Sequence, residues 1–163
     1  MSGAEAAFVI GLISGVISII DATKTVFDAA GDAKGQPKAF RQVVARLPLI
    51  IEILRSAEAA APELDETKRE AIEPILKSCK AKAKKLSELF QKVVRKDNDE
   101  WFDRYKKALR TLGKGDKVEG LMEEIQKDTQ LLASDKLIRI ATEAQVKGLE
   151  EGIKEMNEMP SSL

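Results

Sequence analysis

The stretch Ala6–Ile20, AAFVIGLISGVISII, decides how the rest of the chain is read. It carries no charge and is bounded by Glu5 and Asp21. Phe8, Val9, Ile10, Leu12, Ile13, Val16, Ile17, Ile19 and Ile20 cover most of the circumference of a helix drawn through it. An amphipathic helix leaves a broad polar stripe, and this one leaves only a seam of small residues, Gly11, Ser14, Gly15 and Ser18, at i, i+3, i+4 and i+7. The expectation is a helix covered almost all round, by a bundle, by a partner or by lipid. The stretch itself is shorter than the roughly 18–20 residues that span a bilayer as a conventional helix. It lacks a basic region ahead of it, which argues against a signal peptide, and Ser2 stands where myristoylation requires glycine. Gly11 and Gly15 form a G-x-x-x-G pair that suits close helix–helix packing.

Composition narrows the class. A chain of 163 residues is one domain by length, and residues 1–163 are read as a single helical-bundle domain. Lys plus Arg equals Asp plus Glu at 27 each, so no net field favours nucleic acid or an acidic substrate. Charged residues make up 33% and aromatics only 4%, a balance typical of all-helical proteins. The single cysteine, Cys79, excludes an intramolecular disulfide and suits a reducing compartment, so a cytoplasmic resting location is expected. Histidine is absent, which removes most zinc sites and most acid–base triads. Gly113-Lys114-Gly115-Asp116 has neither the spacing nor the hydroxyl of a phosphate cradle. The expectation is no enzyme, no cofactor and no metal.

Periodicity then lays out the bundle. A first helix from about Ala4 to Ala30 is closed by Gly31 and Gly35. A second, Pro37 to Ala61, repeats Phe40, Val43, Val44, Leu47, Ile50, Ile51 and Leu54, with Pro48 as an expected kink. Asp65 caps a third helix running to Lys96, with Ile72, Ile75, Leu76, Cys79, Ala83, Leu86, Phe90 and Val93 on one stripe. Pro74 is placed to bend or delay its start. Its other face is basic, Lys77, Lys80, Lys82, Lys84, Lys85, Lys92, Arg95 and Lys96 against the lone Glu88. Lys77, Lys80, Lys84 and Lys85 are the candidates for contact with anionic lipid, although such a face is ordinarily just solvated. Asp97 and Asn98 mark a turn, with Glu100 as a capping partner. A fourth helix carries Trp101, Tyr105, Ala108 and Leu112, breaks at Gly113–Gly115 and resumes through Val118, Leu121, Met122, Ile125 and Leu132. Ser134 is the expected cap of a last helix ending near Asn157, and 158–163 reads as a disordered tail. The result is an all-α bundle of about five helices with a kinked or broken second and fourth.

Several of these segments together resemble a known family. GLISGVISIIDATKTVFDAA (11–30), Pro37-Lys38-Ala39-Phe40-Arg41-Gln42-Val43, Arg46-Leu47-Pro48-Leu49, Lys77-Ser78-Cys79-Lys80 and Arg110-Thr111-Leu112-Gly113-Lys114-Gly115 resemble the SesA-type domain. That domain precedes the NACHT or NB-ARC module of fungal NLR-like receptors, and the resemblance covers about Ala4 to Ala133. It implies kinship with HeLo and HeLo-like domains and so with programmed cell death, heterokaryon incompatibility and innate immunity. It also implies self-association through an attached receptor module and action on plasma-membrane lipids after oligomerisation. Since the chain carries no NTPase motif, it is read as the N-terminal domain of a larger receptor or as a free-standing member.

On this reading the membrane-contact residues are Phe8, Ile10, Leu12, Ile13, Val16 and Ile17. Gly11 and Gly15 serve helix–helix packing, and Glu5 is the candidate pore-lining acid. The location is cytoplasmic at rest and the plasma membrane when active. The alternative is an adaptor that binds another helical death-domain protein and never touches lipid. Nucleic acid is not an expected partner, because the basic face lacks interleaved aromatics.

Overall fold

Side-chain spacing sorts the chain into helices whose apolar stripes all turn inward. The computed structural model describes residues 3–30, 38–94, 101–112, 117–133 and 140–162. Among these residues there are six α-helices: α1 (Gly3–Ala30), α2 (Lys38–Ala60), α3 (Glu66–Val93), α4 (Trp101–Leu112), α5 (Val118–Leu132) and α6 (Glu143–Glu158). A 3-10 turn, Ala61–Glu63, joins α2 to α3. The protein is therefore an all-helical bundle, and the expected fourth helix is two elements, α4 and α5. The glycines at 31 and 35, Pro37, the turn and cap at 97–100, the break at 113–115 and the cap at Ser134 all lie outside the described residues.

The third helix starts where its cap dictates. Asp65 is extended and its side chain accepts a hydrogen bond from Lys68 N–H at 2.8 Å, satisfying a donor that the first turn leaves free. Neither proline delays or ends a helix: α2 runs unbroken through Pro48 and α3 through Pro74. Both prolines are exposed, and the carbonyl that Pro74 leaves without a donor belongs to Glu70, itself exposed.

Helix α1 packs against α3 and α2, α5 packs against α3, α6 and α2, and α4 packs against α3. Phe8 lies beside Lys77, and Phe27 beside Phe90, so α1 and α3 run in the same direction. The bundle centres on Phe40 of α2, whose ring lies 5.0 Å from Phe90, 5.4 Å from Trp101 and 5.0 Å from Tyr105. The latter two are edge-on, the geometry that aromatic quadrupoles favour. Arg104, buried beside Trp101, donates from Nε to the Val93 carbonyl at 2.7 Å, which ties α4 to the end of α3.

Two expectations change. The last helix begins at Glu143, capped by Thr142, whose side chain accepts from Gln145 N–H while the Gln145 side chain accepts from Thr142 N–H. This capping box satisfies two orphan groups at once, and the stretch that holds Ser134 lies outside the described residues. The expected disordered tail is instead placed as far as Ser162, because that serine finds buried partners: its N–H and hydroxyl both bond to Glu119.

Candidate functional site

Helix α1 is not covered all round. Val9, Leu12, Ile13, Val16, Ile20 and Thr23 are buried, and they recur at three- and four-residue spacing on one face. Ala7, Phe8, Gly11, Ser18, Asp21 and Ala22 are exposed, with Ile10, Ile17 and Ile19 half-buried between. The helix continues past Ile20 without a break, so the apolar segment Ala6–Ala29 is 24 residues long. By length and composition it is long enough to cross a membrane, although the 15-residue stretch Ala6–Ile20 is not. Only 28% of its most apolar window is buried in the bundle.

The six residues expected to touch lipid therefore divide. Phe8 is 50% exposed on the α3 side of the helix, and Ile10 and Ile17 are half-buried on the opposite flank. Leu12, Ile13 and Val16 belong to the core, so in this conformation they cannot meet a membrane. The reason is the angular one: they fall on the inner face with Val9 and Ile20.

Nor are the glycines a helix crossing. A Cβ at Gly11 would meet nothing within 4 Å, and one at Gly15 would meet only the Lys80 side chain, at 3.6 Å. Among the described residues no backbone of another helix lies within 4 Å of such a Cβ, so neither glycine marks a tight helix crossing in this conformation. What fills the seam at Gly15 is lysine: the end of the half-buried Lys80 side chain, Cε and ammonium alike, lies across the gap. Ser14, next in the seam, hydrogen-bonds Glu58 of α2. The side chain of Glu5 lies outside the described residues.

The outer face of α1 thus adjoins the basic side of α3. The Lys77 ammonium stands 5.7 Å from the centre of the Phe8 ring and pairs with Glu73 at 2.9 Å. This cation–π contact joins the most exposed aromatic to the first of the four candidate lysines. Lys84 and Lys85 are exposed further along α3. Lys82 points the other way, to Asp128 at 3.1 Å and Glu124 at 3.3 Å on α5. Partial burial works against its charge, but the hydrogen bond and charge of Asp128, joined by Glu124, outweigh this and hold its pKa above the ordinary value. Lys82 is accordingly a seam residue, not part of the basic face. Cys79 is buried in the core, where desolvation, reinforced by the nearby Asp128 carboxylate, pushes its thiol up to about 12, so it stays protonated and inert.

Sequence reasoning missed two features. The Phe8–Lys77 pair depends on the parallel setting of α1 and α3, which no local pattern encodes. The Thr142–Gln145 box stands in the sequence as T-x-x-Q, a local pattern as visible as the serine at 134.

A family model described as SesA, the N-terminal domain on NACHT NTPases and P-loop NTPases, matches residues 13–132. No curated protein and no solved structure matches the chain. The matched segment runs from the buried face of α1 to the last residue of α5 and takes in the whole Phe40 cluster. The chain belongs to the SesA family of N-terminal domains.

Proposed function

We propose that this domain is the non-enzymatic effector arm of an NLR-like receptor, and that it acts on a membrane through the outer face of α1 once the receptor clusters several copies. The observation that carries this reading is the position of α1: the most apolar helix leaves one face outside the bundle, with Phe8 beside Lys77 and Gly15 beside Lys80 of α3. An apolar strip edged by lysines suits a leaflet whose headgroups are anionic.

Magnitudes explain why clustering is required. Full burial of a Phe or Ile side chain is worth about 1.5–3 kcal/mol, and Phe8, Ile10 and Ile17 are already partly buried. Each lysine adds about 1 kcal/mol at an anionic surface. One domain therefore binds weakly, whereas linked copies combine their contacts through effective concentration. Insertion of α1 is a further step. It withdraws Val9, Leu12, Ile13, Val16 and Ile20 from the core and uncovers their partners, at about 8–15 kcal/mol on the same scale. The domain rests in the cytoplasm and moves to the plasma membrane on this reading.

The test fuses the chain to an inducible oligomeriser and measures flotation with vesicles of anionic or neutral lipid, alongside growth and localisation in yeast. Expected are binding to anionic vesicles only when oligomerised, about tenfold weaker binding for Phe8→Glu, and death with plasma-membrane signal that the variant loses. An oligomer that ignores both kinds of vesicle and leaves cells healthy sinks membrane action. Capture of one helical partner by that oligomer, lost in Phe8→Glu, would then support the adaptor reading.

A further inference from the structure

Helix α6 lies beyond the family match and packs mainly on α5, with a smaller contact to α2. It buries two large side chains, Leu149 against Ile53 and Ala133, and Met156 at the edge of the main core. Between them sits Gly152, and beneath Gly152 lies Gln126 of α5. A Cβ at Gly152 would stand 2.2 Å from Gln126 Nε2, so α6 approaches closely only because that position has no side chain. Gln126 is 1% exposed, and neither its amide nitrogen nor its amide oxygen has a hydrogen-bond partner among the described residues.

Polar bonds line the rim. Arg46 pairs with Glu155 at 2.6 Å, and Gln145 donates to Glu52 at 2.8 Å. Past the end of α6, Ser162 acts as an anchor. Its N–H donates to one Glu119 oxygen at 3.0 Å, its hydroxyl to the other at 2.6 Å, and that hydroxyl lies 2.6 Å from the Tyr105 hydroxyl. Lys117 donates to Ser161 at 2.7 Å.

An amide buried in an interface with neither group met by the described residues opposes docking, because it regains its hydrogen bonds in open water. Two apolar side chains and a serine anchor work against that penalty and against the entropy of ordering the helix. We propose that α6, with residues 159–162, is a releasable strap. It leaves the groove between α2 and α5 as one unit while α1 to α5 stay folded, and Gln126 sets how readily it does so. Release bares Leu49, Ile53 and Ala133 and frees the chain that follows α5 to swing away from the bundle. This is a control built on the side of the domain away from α1, and it does not depend on membrane action.

Hydrogen exchange read by mass spectrometry on the full chain tests it. In the native chain the α6 amides should exchange together and at least about tenfold faster than those of the α3 centre. Gln126→Leu keeps the shape and removes the unmet amide, so α6 exchange should slow about tenfold with α3 little changed. Ser162→Ala removes the anchor without touching the core, and α6 exchange should rise about fivefold. If α6 exchanges at the rate of α3 in the native chain, it leaves only by global unfolding and the strap is refuted. The same follows if Gln126→Leu folds, by circular dichroism, yet leaves α6 exchange unchanged or faster.

Discussion

Ile13 and Phe8 lie five positions apart on one apolar helix, and the bundle treats them oppositely. Ile13 is fully buried in the core and Phe8 is half exposed beside Lys77. A carboxylate at position 13 would lose its water without gaining a partner, a loss of several kcal/mol against a total stability of about 5–15 kcal/mol. Ile13→Glu should therefore abolish the cooperative thermal transition, whereas Phe8→Glu should keep the helical circular dichroism and shift stability by less than about 1 kcal/mol. The consequence for mutagenesis is direct. A charge at Ile13 cannot separate membrane contact from folding, and a charge at Phe8 can. A melting curve for each variant checks the pair.

At the level of the element, helix ends are where local chemistry is most readable. Asp65 and Thr142 cap α3 and α6 through their own side chains. Removing such a cap costs about 1 kcal/mol, and the effect depends on what else holds the helix. Asp65→Ala should lower the midpoint of the whole transition, because α3 lies at the centre of the bundle. Thr142→Ala should instead loosen α6 alone, seen as faster proteolysis between α5 and α6 with an unchanged main melt. The stripes of α2 and α3, the Asp65 cap and the division of α4 from α5 were all legible in sequence, because each is a pattern within one element. The setting of α1 was not. Ile and Val on every side read as a helix covered all round, and which of them meets the core is decided by where α2 and α3 lie. The candidate site was legible in the same proportion: Phe8, Ile10, Ile17 and the α3 lysines keep an outer position, while Leu12, Ile13 and Val16 do not. Gln126 under Gly152 was invisible, since a glutamine on a helix ordinarily faces water.

Across the whole molecule, the two outward features lie on different helices: the apolar strip on α1 beside α3, and the strap on α6 beside α2 and α5. Between them stands the aromatic cluster on Phe40, where three helices converge. The chain has one tryptophan, and it sits there, 2% exposed against the Phe40 ring. Trp101 therefore serves as a lamp fixed inside the bundle, with the Phe40 ring between it and Tyr105, the cluster member that Ser162 of the strap reaches. Excited selectively, it should emit in the blue while α6 departs or Phe8 settles on a vesicle, and turn red only when water reaches the Phe40 cluster. A titration that changes vesicle binding or α6 protection at constant emission colour reports a domain at work, and a red shift reports one that has come apart.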